Sequence, residues 1–271
     1  MASAQPSRIH PTALISPEAE LADDVVVGPY AVIEGRVCIG SGSVLRPFVH
    51  LCGPLTMGRN NQVYTGAVLG ERPQHLQYHD EPTRVEIGDD NIFREGVTVH
   101  RGTVQSQVTK IGSANFFMAN SHIAHDCRVG DRCMLANGAV VGGHCTLGDN
   151  VFLSGNSAVH QFCRVGRLAL LSGASATTMD IPPFVIVQRI NTVMGVNVIG
   201  MRRAGLNYRQ VQAIRRAYQI LYKSRKVISV ALSEIEQESG SIDVVAEFVD
   251  FIRTSKRGIS LSHHHEQSEA A

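Results

Sequence analysis

The chain has 271 residues, enough for a large core, and its formal net charge of +1 at pH 7 gives no overall sign of nucleic-acid binding. Residues 1–7 contain no apolar run of the kind found in signal peptides, and no window reaches the roughly 18 apolar residues of a membrane span. We therefore expect a cytoplasmic protein that is not inserted in a membrane and does not bind nucleic acid.

From Ile9 to Leu171 an apolar residue returns at every sixth position. Of the 28 positions at this spacing, 25 are apolar, whereas chance would give about 12. Strands repeat every two residues and helices every 3.6, so neither explains the pattern. A six-residue period is typical of parallel β-helices, in which three hexads form one coil of about 18 residues and stacked coils bury an apolar column. We predict an all-β parallel β-helix of about ten coils over residues 1–190.

The three polar exceptions to the period, His75, Glu81 and Gln105, lie in two polar stretches, residues 70–86 and 101–110. We interpret both stretches as loops that leave the β-helix. Loops on a rigid scaffold often carry binding residues. Because both loops precede coils that are rich in histidine, we expect them to fold over the same region.

Histidines are concentrated on one predicted face of the β-helix, beside apolar positions that are one coil apart: His122, His125, His144 and His160. Histidine is suited to general-base catalysis near neutral pH. Asp126 follows His125 and could orient its ring. Gly143, one coil later, leaves room for a backbone N–H to approach a developing oxyanion.

An uninterrupted 18-residue coil puts His100 on a different face from this cluster. We therefore expect His100 to reach the cluster only from another subunit, which favours a site in a cleft between protomers. Two further interpretations of the pattern remain. The histidines could bind zinc between subunits, as in trimeric proteins of the γ-carbonic-anhydrase type, or the chain could be a trimeric scaffold without catalytic activity.

Cys127, Cys145 and Cys163 are 18 residues apart, so we predict a column of small inward-facing residues without a disulfide. The six cysteines of the chain form neither a CxxC motif nor a Cys/His spacing typical of structural zinc. We predict no metal and no cofactor. Motifs of phosphate-binding loops are also absent.

The six-residue period fades after Leu171, and the sequence Asp180-Ile181-Pro182-Pro183 interrupts regular backbone. Asn207 is placed to cap a helix, and further helices are predicted near 227–238 and 241–254. We predict a small helical domain over residues 191–258 and a disordered tail over 259–271.

The first part of this helical region is strongly basic. Residues 201–226 contain no acid and eight basic residues: Arg202, Arg203, Arg209, Arg215, Arg216, Lys223, Arg225 and Lys226. These charges could form an ordinary solvated helix face, or a positive patch over 202–226 that attracts an acidic partner.

Three strings of residues together resemble the UDP-N-acetylglucosamine O-acyltransferases: His122-Ile-Ala-His125-Asp126-Cys127, Val159-His160-Gln161-Phe162-Cys163, and Val99-His100-Arg101-Gly102-Thr103 with Glu81-Pro82-Thr83-Arg84 before it. The resemblance spans about residues 9–258. It implies a left-handed β-helix and a cytoplasmic homotrimer. It also implies transfer of an (R)-3-hydroxyacyl chain from acyl carrier protein to the 3-hydroxyl of UDP-N-acetylglucosamine, the first step of lipid A synthesis.

The resemblance also implies a role for individual residues. His125 would be the general base, Asp126 its partner and Gly143 the oxyanion donor. Gly173 matches the position that sets acyl length, and the basic segment would dock the acidic carrier protein. Substrate contacts would come from the cleft residues and their neighbours: His100, His122, His144, His160, Gln161, Asn197 and Arg203.

Several positions depart from the family pattern. His75-Leu76-Gln77 stands where the family usually has Asp-Leu-Lys, so His75 and Gln77 would meet the nucleotide sugar instead. Ile199 replaces an acid and Ala204 replaces an arginine. These departures leave open how the phosphates are held and whether a 3-amino sugar is accepted. The later N-acyltransferase of the same pathway is the nearest related alternative, but it carries an N-terminal domain for which we expect no room before Ile9.

Overall fold

The structure, a computed structural model, describes residues 8–261. The chain winds through three sheets in turn, so that strands 1, 4 and 7 belong to the first sheet, 2, 5 and 8 to the second, and 3, 6 and 9 to the third. The sheets are the three faces of a prism. Within each sheet the strands of successive coils are parallel, except for the last pair of sheet 3.

The bounds of the strands are as follows. Sheet 1 contains β1 (Leu14–Ile15), β4 (Val32–Glu34), β7 (His50–Cys52), β10 (Val68–Glu71), β13 (Thr98–His100), β16 (His122–Ile123), β19 (Val140–Val141), β22 (Ala158–Val159) and β25 (Ala176–Thr177). Sheet 2 contains β2 (Glu20–Leu21), β5 (Val37–Ile39), β8 (Leu55–Met57), β11 (Arg84–Ile87), β14 (Val108–Ile111), β17 (Arg128–Val129), β20 (Thr146–Leu147) and β23 (Arg164–Val165). Sheet 3 contains β3 (Val26–Val27), β6 (Val44–Leu45), β9 (Gln62–Val63), β12 (Ile92–Phe93), β15 (Phe116–Phe117), β18 (Met134–Leu135), β21 (Phe152–Leu153), β24 (Leu170–Leu171), β26 (Val185–Gln188) and β27 (Thr192–Val196).

The apolar positions of the hexads form the interior of the prism, as predicted. In sheet 1, for example, Leu51 pairs with Leu69, Leu69 with Val99, and Val99 with Ile123. All four side chains are fully buried. Burial of each such side chain contributes about 1.5–3 kcal/mol, which explains why the period is kept along the whole β-helix.

Two irregular segments interrupt the winding. Residues 72–83 join β10 to β11, and residues 101–107 join β13 to β14. Leu69 pairs with Val99, 30 residues later, and Val99 pairs with Ile123, 24 residues later. Regular pairs such as Ile123 and Val141 are 18 residues apart. The insertions are therefore multiples of six, so the apolar phase survives them.

These insertions overturn the prediction for His100. The segment 101–107 lengthens one coil by a hexad and so brings β13 onto the same face as β16, with Thr98 paired to His122. His100 consequently lies beside His122 within a single chain. A neighbouring subunit is not needed to bring it to the cluster.

Asparagines form a ladder inside one corner of the prism. The Asn91 amide donates to Asn61 Oδ1 at 3.0 Å, and the Asn115 amide donates to Asn91 Oδ1 at 2.9 Å. The ladder ends where Cys133 N donates to Asn115 Oδ1 at 2.7 Å. Because each buried amide is hydrogen bonded, the ladder stabilises the corner instead of destabilising it.

The predicted cysteine column is confirmed. Cys127, Cys145 and Cys163 are fully buried, and all six cysteines are free. The thiols donate to backbone carbonyls of neighbouring turns, as from Cys127 Sγ to Gly142 O at 3.1 Å. Burial raises the pKa of the Cys163 thiol to about 12. A hydrogen bond from Cys127 and burial raise that of Cys145 still further.

The helices of the C-terminal region are α1 (Val198–Arg203), α2 (Tyr208–Lys223), α3 (Ile228–Ser239) and α4 (Asp243–Arg253). Asn207 caps α2 as predicted, through a capping box with Gln210. Polar contacts join the helices to the β-helix. Arg167 pairs with Glu247 of α4 at 2.7 Å, and Arg164 donates to the hydroxyl of Thr254, just after α4, at 3.1 Å.

The ends of the helical region differ from the prediction. Residues 192–196, placed in the helical domain, form β27, which pairs antiparallel with β26 and closes sheet 3. Ile259 and Ser260, placed in the disordered tail, are buried, because residues 259–261 pair with Asp180 and Thr192 of the β-helix. The rest of the predicted tail, residues 262–271, lies outside the described residues.

Candidate active site

His125 and Asp126 lie in the turn that leads from β16 to β17. Asp126 adopts a left-handed backbone conformation (φ +61°), which aspartate tolerates better than most residues. The His125 Nδ1–H donates to Asp126 Oδ2 at 2.7 Å, and both residues are buried. This contact turns Nε2 of the ring away from the carboxylate. Within residues 8–261 we find no protein partner for His125 Nε2.

The segment 101–107 holds the Asp126 carboxylate from the other side. Thr103 donates twice, from its N–H at 2.8 Å and from its hydroxyl at 2.7 Å, and the Ser106 hydroxyl makes a short hydrogen bond. Burial opposes ionisation of Asp126, but the hydrogen bonds from His125, Ser106 and Thr103 outweigh it and hold its pKa below the usual value. Asp126 therefore stays ionised and can stabilise a protonated His125.

Substitution Thr103→Val tests this support. The change keeps the shape and the backbone N–H of residue 103 but removes its hydroxyl hydrogen bond to a buried carboxylate. We expect a loss of about 1–3 kcal/mol in the free energy of unfolding and a fall of about tenfold in kcat. Urea unfolding and steady-state kinetics measure the two. Thr56→Val, at an exposed position on β8, is the matched control and should change neither; equal effects from both substitutions would contradict the support by Thr103.

Gly143 stacks on His125, one coil later. A Cβ at position 143 would lie 2.6 Å from His125 Cε1 and 2.8 Å from Nε2, closer than real Cβ contacts allow. Glycine is therefore required here for the ring to take its position. Among the described residues the Gly143 N–H donates to no protein acceptor. The backbone of Gly143, with this N–H, therefore lies against the His125 ring.

His144 and Phe162 occupy, in the next two coils, the turn position that Asp126 occupies in its own coil. The His144 ring stacks on that of Phe162 with centroids 4.4 Å apart, and its Nε2 is 3.5 Å from Asp126 Oδ2. Burial lowers the pKa of His144, although the charge of Asp126 acts in the opposite direction. Loop residue His75 approaches His125 edge-on, with ring centroids 5.4 Å apart. The segment 72–83 therefore folds over the site, as predicted for both loops.

His100 and His122 form a second pair of rings on the same face, with centroids 5.0 Å apart. Thr98 Oγ1 lies 2.7 Å from His122 Nδ1. His100 Nδ1 is buried and has no hydrogen-bond partner in the described structure. Burial, helped by His122, lowers the pKa of His100 to about 4, and burial also lowers the pKa of His122.

These pKa values predict a loss of stability in acid. Because the folded protein binds a proton at His100 only near pH 4, and the unfolded chain does so near pH 6.5, the stability from neutral His100 is complete above pH 6.5. It is lost as the pH falls towards 4, and we expect a contribution of about 3 kcal/mol. Urea unfolding between pH 7 and 4 measures this contribution. His100→Gln should reduce the slope of the free energy of unfolding against pH. An equal slope in that variant would exclude His100 as its source.

The remaining predicted site residues are more dispersed. His160, Gln161 and Gln77 are exposed, and His160 Nδ1 lies 3.2 Å from the Gln161 carbonyl. His160 makes no ring contact with the other histidines in the part of the chain that the structure describes. Gly173 lies in the turn from β24 to β25, at the opposite edge of sheet 1.

Asn197 and Arg203 line a groove of about 610 Å³ on sheet 3, beside α1. The Asn197 side chain is occupied by structural contacts: it accepts from Gly200 N at 2.9 Å as the α1 cap and donates to Leu168 O at 2.8 Å. Arg203 is exposed, and Ile199 and Ala204 give the groove wall an apolar character. This groove is on a different face from the His125 corner.

The basic segment forms an exposed surface on α1, α2 and the following turn. Two of its charges are neutralised by α3, since Arg216 pairs with Glu238 and Lys226 with Glu234. The other six have no acidic partner within residues 8–261: Arg202, Arg203, Arg209, Arg215, Lys223 and Arg225. We call these six residues the basic surface.

A cation could fit geometrically between His125, Asp126 and His144, whose ligand atoms lie within 4.8 Å of one another. However, the Asp126 oxygens already accept hydrogen bonds from Thr103, Ser106 and His125. A carboxylate used in this way is suited to orienting the histidine.

A stacked β-helix with this histidine corner defines a transferase class. Residues 109–143 match the family of bacterial transferase hexapeptide repeats, and residues 180–260 match the second domain of UDP N-acetylglucosamine O-acyltransferases. The chain belongs to the UDP-N-acetylglucosamine O-acyltransferase family. It is accordingly an enzyme of that class, and the zinc hydratase and scaffold alternatives are wrong.

Solved structures agree over almost the whole chain. The Francisella novicida UDP-N-acetylglucosamine acyltransferase is 34% identical, with 96% of each chain covered and a TM-score of 0.92. LpxA from Acinetobacter baumannii is 41% identical over 93% of this chain and 99% of its own, with a TM-score of 0.90. The Moraxella catarrhalis enzyme is 39% identical with the same coverage and TM-score. Together with the three parallel sheets, these relatives confirm the predicted left-handed β-helix and C-terminal helical region.

Sequence reasoning missed the contacts that support Asp126. Ser106 was not singled out, and Thr103 was part of a quoted string, but the polarity of their loop gave no sign that both bind the Asp126 carboxylate. Phe162 was part of a quoted string, but its stacking on His144 follows from coil register.

None of the helices between residues 8 and 261 is both long and apolar enough to cross a bilayer.

Proposed function

We propose that this enzyme transfers an (R)-3-hydroxyacyl chain from acyl carrier protein to the 3-hydroxyl of UDP-N-acetylglucosamine, with His125 as general base. The observation that supports the mechanism best is the buried His125–Asp126 pair, which leaves Nε2 beside the Gly143 N–H. His125 Nε2 can therefore accept a proton from a substrate hydroxyl while the Gly143 N–H donates a hydrogen bond to a carbonyl oxygen at the same place.

The reaction proceeds in two steps. His125 Nε2 takes the proton of the sugar 3-hydroxyl while the oxygen attacks the thioester carbonyl, and the Gly143 N–H donates to the oxyanion. The C–S bond then breaks, and the His125 imidazolium returns its proton to the leaving thiolate. Ionised Asp126 stabilises the imidazolium between the two steps.

Transfer is direct, without an acyl-enzyme. The cysteines nearest to the corner, Cys127, Cys145 and Cys163, are buried in the prism. The raised pKa values of Cys145 and Cys163 keep these thiols protonated, and the thiolate is the nucleophilic form. Free cysteines throughout the chain also support a reducing compartment, and we place the reaction in the cytoplasm.

The substrate contacts are divided between two faces. His100 Nδ1 is buried and has no hydrogen-bond partner among the described residues, so we infer that it hydrogen bonds to a polar group of the substrate. Asn197 and Arg203 line the groove on sheet 3, away from the His125 corner. We infer that a homotrimer brings the groove of one protomer to the corner of the next, so that the nucleotide sugar and the acyl chain bind between subunits.

The experiment that tests this function follows thiol release from 3-hydroxyacyl carrier protein. We expect release to depend on UDP-N-acetylglucosamine and to yield a 3-O-acylated sugar by mass spectrometry. A product that carries the acyl chain on nitrogen, or release that is independent of the sugar nucleotide, would contradict the proposal. Offering a UDP 3-amino sugar in a parallel reaction determines which acceptor is preferred. Acyl donors of different lengths determine which chain length the enzyme prefers, the property assigned to Gly173.

The basic surface is the proposed docking site for the acidic carrier protein. Reversing two of its charges with Arg215→Glu and Lys223→Glu should raise the KM for acyl carrier protein at least about tenfold, because four unit charges of attraction are lost. kcat should stay within about twofold. Steady-state kinetics at low and high salt measure both values, and the difference between the proteins should shrink as salt screens the charges.

The matched control for docking is Arg36→Glu, an exposed arginine at the other end of the β-helix. It carries the same type of charge reversal and should leave the KM within about twofold of wild type. An equal KM increase in this control would mean that net charge, rather than a docking surface, governs the encounter.

A further inference from the structure

A second cluster of polar side chains lies on the outer face of sheet 1, near its N-terminal end. His50 and Cys52 are two residues apart on β7, so both face outward while Leu51 between them is buried. Glu34 on β4 is the register partner of Cys52. Coil stacking therefore joins three metal-binding side chain types that no linear motif connects.

Two of the three ligand-to-ligand distances in this cluster match those of a tetrahedral zinc site. His50 Nε2 is 3.4 Å from Glu34 Oε2 and 3.5 Å from Cys52 Sγ. All three ligand atoms lie within 4.8 Å of one another. Tetrahedral Zn²⁺, with bonds of about 2.0–2.3 Å, separates its nitrogen, oxygen and sulfur ligands by about 3.3–3.6 Å.

Glu71 on β10 adds a second carboxylate beside the thiol. Its Oε2 lies 3.7 Å from Cys52 Sγ, while its Oε1 accepts a hydrogen bond from Arg72 N at 2.7 Å. Cys52 is buried, His50 and Glu71 are half-buried, and Glu34 is exposed. The cluster is thus open to solvent on the Glu34 side, through which an ion can enter.

We propose that Glu34, His50 and Cys52 bind a zinc ion, with the fourth position open to water and Glu71 beside the thiolate. A thiolate together with an imidazole selects Zn²⁺ over Mg²⁺ and Ca²⁺, which prefer oxygen ligands only. The ion would connect β4 to β7, and because it binds only the folded chain it would raise the unfolding temperature. The ion would not contact His125, although Glu71 is the register partner of His100 on sheet 1.

Cobalt(II) is the best probe, because a thiolate ligand gives Co²⁺ a charge-transfer absorption band in the near ultraviolet that histidine ligands do not give. Cobalt ions bound by His125 and His144, or by the histidines of the C-terminal sequence, would therefore not contribute to this band. We expect the full-length wild-type protein to develop the band with one equivalent of Co²⁺ and to lose it when Zn²⁺ is added. Thermal unfolding with Zn²⁺ is the second measurement.

The variants separate this site from other thiols. Cys52→Ser should abolish the band, and His50→Gln should weaken Co²⁺ binding at least about tenfold. Cys38→Ser is the matched control, since Cys38 lies on sheet 2 beside Glu20 and should keep the wild-type band. Circular dichroism checks that each variant is folded; if Cys52→Ser is not, His50→Gln decides. Wild-type protein without the band, or variants at Cys52 or His50 that keep it at wild-type strength, would overturn the proposal.

Discussion

Substitution His125→Ala should lower kcat by about 10²–10⁴, the range expected for removal of a general base. The KM values for the sugar nucleotide and the carrier protein should change only a few-fold, because the ring acts mainly on the transition state. The physical reason is the 2.7 Å contact with buried Asp126, which holds one ring orientation and supports a positive charge on it. Thiol release and the mass of the sugar product provide the measurement.

The control for this substitution is His10→Ala. His10 is at the far end of the β-helix, where its ring hydrogen bonds to Thr12, and its loss should leave kcat within about twofold. If His125→Ala retained activity within a few-fold of wild type, the general-base mechanism would be wrong. The family assignment would stand in that case, because it rests on the comparisons and not on the role of this residue.

Substitution Gly143→Ala should reduce kcat about a hundredfold, the cost expected when a catalytic group is displaced by about 1 Å. The added methyl group would meet the His125 ring at 2.6–2.8 Å, so the ring must move away from the position where Nε2 and the Gly143 N–H meet. The effect on the free energy of unfolding should be far smaller, since a displacement of the ring by about 1 Å leaves the stacked coils intact. Kinetics and urea unfolding of the same preparation separate the two effects.

Gly155→Ala is the matched control. Its added Cβ would lie 3.5 Å from Asn137 O, an ordinary van der Waals contact, in a similar turn of the β-helix. We expect wild-type kcat from this variant. Wild-type activity in Gly143→Ala would show that His125 is not held against residue 143, and the oxyanion role of that N–H would lose its support.

The C-terminal region illustrates how local signals predict an element but not its partners. The Asn207 cap and the helices after it were predicted from local pattern and are present at nearly the expected residues. Strand β27 and the buried Ile259 were not predicted, because both depend on pairing with residues distant in the sequence. Such pairing leaves no period in a five-residue strand.

His100 shows the same limit inside the β-helix. The six-residue period correctly identified Val99 as an inward residue, yet an uninterrupted coil length put His100 on the wrong face. Hydrophobicity cannot show whether a polar stretch is a loop inserted into a coil or one of the three regular hexads of that coil. The reason is that an insertion of six residues preserves the phase of the apolar positions. The strand register of Val99 with Ile123 resolves this point.

The sequence by itself determined the β-helix, because one inward apolar residue per hexad is a local requirement repeated along the chain. The histidine pattern and the family resemblance also predicted His125, Asp126 and Gly143 as catalytic residues. Only the tertiary structure decided which side chains surround them: Thr103 and Ser106 on Asp126, His75 on His125, and Glu34 beside His50 and Cys52. The reason is that coil stacking brings together residues from different coils, and the inserted loops decide which residues those are.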